Sequence, residues 1–253
     1  MKPAMTTFTA RLVGGPTAVL EYAGLRWLTD PALSPPGDYA GGLVKITGPA
    51  LTPDEIGLID VVLLSHEHHS DNLDPAGRAF LPDVGRVLTT VEGATRVDAN
   101  AMGMEPWSTA QIGDVTVTAV PAQHGPDGSD EIMGPVIGFV LGGEGLETVY
   151  VSGDNASLDV VRAIAERAGP IGVAVLFAGA VSVPNRFDGA YLTLSSERAA
   201  QAAEILGVRA VVPVHFEGWT HFTQGAPALR AAFAGYGIGD RLALAERGET
   251  VAV

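Results

Sequence analysis

Two mixed β-sheets packed face to face, with helices on their outer sides, make up the α/β architecture that this sequence predicts. Three observations predict it. A run of short β-prone segments opens the chain, strand and helix signals alternate after it, and no low-complexity linker or fixed-period repeat divides it. With 253 residues and 47% apolar content, one large domain over 1–253 can fill a sizeable core.

The opening segments are Phe8 to Val13, Ala18 to Tyr22 and Leu25 to Thr29, separated by Gly14-Gly15-Pro16 and Ala23-Gly24 as in an antiparallel meander. Asp30-Pro31 closes the third. From Ala32 to Gly48 the chain is rich in Gly and Pro and long for a plain connection, which suits either a loop bordering a site or a mobile surface loop. Thr52-Pro53-Asp54-Glu55 reads as a short helical turn, with Thr52 as N-cap and Pro53 at the first helical position. Asp60 to Leu64 is a short apolar run that suits a buried strand. Arg86 to Thr90 reads as a strand and Glu92 to Ala101 as a helix. Val115 to Val120 alternates as a strand does, and Val136 to Leu141 and Thr148 to Val151 are strands around a Gly142-Gly143-Glu144-Gly145 turn. Ser157 to Arg167 has helical periodicity, with Leu158, Val161, Ile164 and Ala165 on one face. Val173 to Phe177 and Ala210 to Val214 read as buried strands on either side of a helix, Ser195 to Leu206, capped by Ser195. Ala226 to Phe233 is the last helix, followed by weak terminal strands.

Composition narrows the function. A net charge of −14 repels nucleic acid backbones and acidic membranes, and no basic run interrupts it, with two lysines beside thirteen arginines. The absence of cysteine excludes disulfides, zinc ribbons and iron–sulfur ligation. The first residues show no apolar signal core, and no window approaches a membrane span. The expectation is a soluble, cytoplasmic protein whose partner is a small molecule, neither nucleic acid nor membrane.

The chemistry concentrates where Asp60 to Leu64 ends. The chain there reads DVVLLSHEHHSDNLD, so that His66, His68 and His69, half of the six histidines, fall within four residues. Imidazole and carboxylate are the ligand set that zinc, iron and manganese take from proteins, and a strand gives such ligands a rigid base. A solvated polar loop is the bland alternative for a lone histidine, but not for this cluster. Further donors also stand just past apolar strands: His124 after VTVTAVPAQ, Asp154 after ETVYVS, and His215 after AVVPV, with His221 six residues on. Each alone is as compatible with a hydrogen-bonded loop residue. Together they predict that His66, His124, Asp154 and His215 converge in one cleft. Rival motifs fail: no H-E-x-x-H helix, no G-x-S-x-G elbow and no phosphate-binding loop is present.

On these residues the chain resembles the metallo-β-lactamase superfamily, whose signature H-x-H-x-D-H follows a buried strand, with a His, an Asp and a final His at later strand ends. LTDPAL, LLSHEHHSDNLD, VPAQHG, VSGDN and VVPVHFEGWTHF occur in the family's order, so the resemblance covers nearly the whole chain. Within the superfamily it is similar to the branch that includes ascorbate-6-phosphate lactonases. The resemblance implies a four-layer αββα sandwich. It also implies that His66, one of the next histidines and His124 hold one metal, while Asp71, a bridging Asp154 and His215 hold or share a second. The sequence departs from the signature by one extra residue between His66 and Asp71, so either His68 or His69 is the second ligand. His69 is favoured, because Asp71 must still lead into the helix that begins at Leu73-Asp74-Pro75. Asn72 replaces the signature's last His, and its neutral amide is a poorer ligand.

The implied activity is that of a metal-dependent hydrolase using a metal-activated water on an ester, lactone, phosphodiester or related bond. Zinc is the expected metal, with manganese or iron as alternatives, and one tight ion beside a second that is weak or absent. Asp71 would orient the water or carry its proton, and His221 is a candidate for substrate contact or leaving-group protonation, or else a buried structural histidine. Asn185, Arg186 and Asp188 are candidates for the cleft rim, with Arg186 a partner for an anionic substrate group. Two rival readings are a non-catalytic metal- or ligand-binding protein on the same fold, and a di-iron oxidoreductase that would need a further carboxylate, for which Glu67 is the local candidate.

Overall fold

The computed structural model describes residues 8–97, 100–183 and 186–253. β1 (Thr9–Gly14), β2 (Thr17–Tyr22) and β3 (Leu25–Thr29) form the expected antiparallel meander. The Gly/Pro-rich stretch after it is not a plain loop. Gly37–Tyr39 (β4) and Leu43–Lys45 (β5) pair as a small antiparallel hairpin. Thr52 caps α1 (Pro53–Ile56) in a reciprocal capping box with Glu55, as the T-P-D-E order predicts. β6 (Val61–Leu63), α2 (Pro75–Phe80), β7 (Arg86–Thr90), α3 (Val91–Arg96) and β8 (Ala101–Met104) then build parallel strand–helix units on β3.

The second half repeats this plan. β9 (Thr109–Ile112), β10 (Val115–Pro121) and β11 (Ile137–Gly142) form a second meander, with α4 (Asp130–Met133) between the last two. β12 (Val149–Val151), α5 (Leu158–Ala168), β13 (Val173–Phe177), α6 (Ser196–Leu206), β14 (Ala210–Val214), α7 (Ala226–Gly235) and β15 (Thr250–Ala252) complete the chain. One mixed sheet has the order β15-β1-β2-β3-β6-β7-β8 and the other β14-β13-β12-β11-β10-β9.

Side-chain alternation shows how the layers stack. Ala10, Leu12, Leu20, Tyr22, Trp27, Val61, Leu63 and Leu88 of the first sheet pack in one core with Val115, Val117, Phe139, Val149 and Val151 of the second. Their alternates Val13, Val19, Leu28, Val62, Leu64 and Val87 point the other way, onto Ile56, Leu73 and Leu81 around α1 and α2. On the far side of the second sheet, Val161 and Ile164 of α5, Ala199 and Ala203 of α6 and Phe233 of α7 close the core. The result is the four-layer αββα sandwich.

Besides the β4–β5 hairpin, four elements depart from the sequence expectation. The helix expected over Glu92 to Ala101 ends at Arg96, and Ala101–Met104 is instead a strand on the open edge of β7. Asp98 and Ala99 lie outside the described residues. Pairing at that edge satisfies the backbone groups of β7, a tertiary demand that local propensity does not register. β9 and α4 were likewise unmarked, each being only four residues long.

Candidate metal centre

Chain direction brings the donors to one edge. β10 and β12 are both antiparallel to β11 and therefore parallel to each other, and β12, β13 and β14 are parallel throughout. The C-terminal ends of β10, β12 and β14, which lead to His124, Asp154 and His215, thus share one edge of the second sheet. β6 leads to His66 at the matching edge of the first. Three donor sets result, in each of which the ligating atoms lie within 4.8 Å of one another: His66, His68 and His69; His66, His124 and Asp154; and Asp71, Asp154 and His215. His66, His124, Asp71, Asp154 and His215 are all buried.

The cluster is held from outside by groups that the sequence reading did not single out. Asp30, at the end of β3, accepts from the Ser65 backbone N–H and the Ser65 hydroxyl, both at 2.6 Å, and from Asn72 Nδ2 at 2.9 Å. With its proton on Asp30, the Ser65 hydroxyl accepts from His66 Nδ1 at 2.9 Å. That fixes the tautomer and turns the lone pair of His66 Nε2 inward. The Leu192 carbonyl does the same for His124, accepting from Nδ1 at 2.8 Å. The signal available in the sequence was Thr-Asp-Pro at the end of β3, which marked a strand end and a segment of the family resemblance but gave Asp30 no role.

His215 carries φ of 59°, the left-handed region that a non-glycine residue occupies only under constraint. Its N–H bonds the Gly15 carbonyl at 2.6 Å, and its ring stacks on Phe177 at 5.3 Å between centroids. A side chain at Gly179 would place a Cβ 2.1 Å from the His215 carbonyl oxygen, so the loop after β13 needs glycine there.

The neighbouring histidines differ in their surroundings. His69 Nδ1 lies 2.8 Å from His66 Nε2, with ring centroids 5.2 Å from His124. His68 Nε2 donates to the Met133 carbonyl at 2.6 Å, and its Nδ1 lies 3.6 Å from Glu67. Glu67 in turn takes Arg96 at 2.6 Å, on the α3 side. His221 Nε2 donates to Asp71 Oδ2 at 2.9 Å, and His215 Nε2 stands 3.4 Å from the same oxygen.

Burial and the company of other imidazoles keep His66, His69 and His124 neutral. His69 is pushed down to about 4 and His124 to about 3, in each case chiefly by burial, and His66 lies well below its ordinary value for the same reason. Burial, reinforced by the nearby Asp71 and Asp30, raises the Asp154 carboxyl well above the usual range. Burial also opposes ionisation of Asp71, but His215 and His221 beside it outweigh that and hold its carboxyl well below the usual range. Neutral imidazoles beside crowded carboxylates are the protonation pattern that a divalent cation takes up.

Unpaired polar atoms test that fit. Both oxygens of Asp154, Oδ1 of Asn72, both ring nitrogens of His215 and Nδ1 of His221 are buried without a hydrogen-bond partner. Leaving each such atom unpaired costs about 1–3 kcal/mol, and a cation among them removes most of that cost. The residues present fit a metal. Above them lies a cavity of about 220 Å³. Its floor carries His68, His69, Asp71, His124 and His221, and its walls are Leu43 of β5, Met133, Val181, Val183, Leu192 and Arg186. Asn185 lies outside the described residues, and Asp188, in a 3-10 turn after Arg186, does not line the cavity.

The sequence profile of the family described as "Beta-lactamase superfamily domain" matches residues 26–216. A UPF0173 metal-dependent hydrolase from Rubrobacter xylanophilus is 33% identical over 187 residues, which cover 70% of this chain and 72% of that protein. Among solved structures, an isothiocyanate hydrolase from Delia radicum gut bacteria superposes with a TM-score of 0.83 at 21% identity, over 97% of this chain and 99% of its own. A metallo hydrolase from Ignicoccus hospitalis gives 0.75 at 20% identity, over 98% and 99%. At those identities the superpositions establish the fold alone, and the family rests on the sequence matches. By its profile match over most of its length, the chain belongs to the beta-lactamase superfamily.

Proposed function

We propose that this protein is a metal-dependent hydrolase of a small substrate with an apolar body and an anionic group. The observation that carries the reading is that two buried donor sets share Asp154 directly beneath a cavity. His66, His69, His124 and Asp154 would hold one ion, and Asp71, Asp154 and His215 a second. Such an ion, when bound, activates water at neutral pH and polarises the bond to be cleaved.

The chain's own residues supply the rest. Asp71, fixed by the His221 Nε2–H, accepts a hydrogen bond from the attacking water and orients it. His221 lines the cavity beside Asp71, and the Nε2–H that it gives to Asp71 is the proton it can offer to the leaving group. At about 220 Å³ the cavity falls below the roughly 300–1,000 Å³ that drug-sized ligands occupy, so the substrate is small. Met133, Val181, Val183 and Leu192 exclude water from its apolar part. Arg186 lines the same wall, its Nη1 3.6 Å from the Met133 sulfur, and offers a planar, bidentate partner to a carboxylate or phosphate.

Esters, lactones and phosphodiesters fit this arrangement alike. Turnover of metal-loaded protein on a panel of small lactones, thioesters and phosphodiesters, each with and without an anionic group, tests it. The expected result is hydrolysis of at least one class, with Arg186→Ala raising KM for its anionic members. Retained metal with no turnover across the panel would favour a binding protein on the same fold. Glu67, the further carboxylate that a di-iron reading would need, gives Oε1 to Arg96 and belongs to none of the three donor sets.

A further inference from the structure

One wall of the cavity stands on α4, a helix of four residues whose own hydrogen bonds are local. Ser129 N reaches the Pro126 carbonyl, Ile132 N and Met133 N reach the Ser129 carbonyl, and Gly134 N reaches the Asp130 carbonyl. Among the described residues, two hydrogen bonds tie this turn to another part of the chain. His68 Nε2 donates to the Met133 carbonyl at 2.6 Å, and Arg186 Nη1 reaches the Met133 sulfur at 3.6 Å. A carbonyl oxygen can only accept, so Nε2 carries a proton. Gly134, at φ of 77°, turns the chain out of α4, and a Cβ there would stand 2.9 Å from His68 Nε2, so a glycine is what lets the imidazole in. Behind the ring, Glu67 Oε2 lies 3.6 Å from Nδ1, Glu67 Oε1 accepts from Arg96 at 2.6 Å, and the Glu67 carbonyl accepts from Arg78 at 3.1 Å. His68 thus links α2 and α3 of the first half of the chain to α4 of the second. Met133 is buried against Val181 and Leu192, and all three line the cavity. Ile132 on the outer side of α4 is exposed and adds no packing there.

We infer that His68 is a positioning residue that sets the specificity of the cavity. By holding α4 it fixes the Met133 wall and, through the Met133 sulfur, the Arg186 guanidinium, and so decides how long an apolar body the cavity accepts. The inference rests on the hydrolase reading above and adds a determinant of its selectivity. A helix of one turn is not stable alone, and α4 pairs with no strand, so its place depends on the bond that reaches it from 65 residues away. Without that bond α4 moves outward, and the cavity admits longer apolar groups while gripping short ones less well.

Hydrogen exchange and kinetics on the full-length chain test this together. Amide exchange over 129–134 should quicken about tenfold in His68→Ala, the size of one lost hydrogen bond, with β10 and β11 unchanged. His68→Gln should restore it, because the Gln amide N–H reaches where the imidazole Nε2–H does. This measurement needs neither metal nor substrate. For the kinetics, a panel substrate that the metal-loaded protein hydrolyses is lengthened one methylene at a time. His68→Ala should raise KM for the preferred length about tenfold and move the preference to longer members, with kcat within about twofold, and His68→Gln should reverse both changes. Gly134→Ala, which displaces the ring while leaving His68 in the chain, should reproduce the faster exchange and the altered preference. Unchanged exchange over 129–134 in His68→Ala, or an unchanged length preference, would overturn the inference. So would a loss of metal in His68→Ala that His68→Gln does not restore, since His68 would then be a ligand. Absence of turnover in the unaltered protein would instead sink the hydrolase reading, while the exchange data would still decide whether His68 holds α4.

Discussion

His66, His68 and His69 lie within four residues and meet three different environments. His66 is locked by Ser65 and Asp30, and His69 turns its Nδ1 toward His66. His68 spends one nitrogen on the Met133 carbonyl and faces Glu67 with the other. With Nε2–H given to a carbonyl and Nδ1 turned toward Glu67, His68 aims neither nitrogen at His66 Nε2, whereas His69 aims Nδ1 there. Replacing His69 by Ala should therefore lower retained metal at least severalfold after dialysis, while His68→Ala should leave metal content close to that of the unaltered protein. Elemental analysis of the two variants decides it, and the reverse ranking would place His68 in the centre. The sequence left these two histidines open because the extra residue before Asp71 can be absorbed on either side of them. Choosing between them takes the Met133 carbonyl, which lies 65 residues away on α4.

At the scale of elements, the β4–β5 hairpin does more than cover the cavity. Its strand β5 is bonded to the loop that carries His221: Thr220 N reaches the Val44 carbonyl at 3.0 Å, and Ile46 N reaches the Gly218 carbonyl at 2.8 Å. Lys45 is buried beneath it, bonding the Ala32 carbonyl at 2.8 Å and Asp74 at 3.1 Å, with its ammonium 5.3 Å from the Trp219 ring centroid. Burial lowers the Lys45 pKa, and Asp74 opposes that shift. Lys45→Met should destabilise the protein by about 3 kcal/mol, at the low end for breaking a buried pair, because Asp74 keeps the N–H groups of Leu33, Ser34 and Gly77. Urea denaturation measures that loss. Hydrogen exchange should rise at 43–47 and 218–221 and not in β6, and uniform loosening would refute the coupling. Of this unit the sequence marked only an unusually long loop. Two three-residue strands cannot be told from turns by periodicity, and their pairing becomes visible only against Gly218 and Trp219, far along the chain.

For the molecule as a whole, the centre gathers buried carboxyl groups in a chain of net charge −14. Asp30, Asp71 and Asp154 are all buried within it. A cation bound to the folded state alone adds stability by mass action, about 4 kcal/mol at a thousand times its Kd. For a chain of this size that corresponds to roughly 8–15 °C in Tm. Stripping the metal with a chelator should lower the melting temperature by that order in a thermal scan, and readdition should restore it. An unchanged Tm would mean that the donors bind no ion of consequence. No described helix is long and apolar enough to cross a membrane, in keeping with the absence of any long apolar window in the sequence.

What the sequence determined by itself is what depends on neighbours in the chain. The meander turns, the caps at Thr52, Ser157 and Ser195, the alternation that faces Leu63 inward and Leu64 outward, and the donors at strand ends are all set within a few residues. Only the tertiary structure decided what depends on distant ones. Two reversals of direction, from β10 to β11 and from β11 to β12, carry His124 and Asp154 to the same edge, and only the second left a local mark, in the Gly142-Gly143-Glu144-Gly145 turn. Asp30 reaches Ser65 and Asn72 across 35 and 42 residues, and it is that reach which orients His66 and the Asn72 amide. A backbone preference acts over one turn or one pleat, whereas a lone pair is aimed by whichever group the fold sets opposite it.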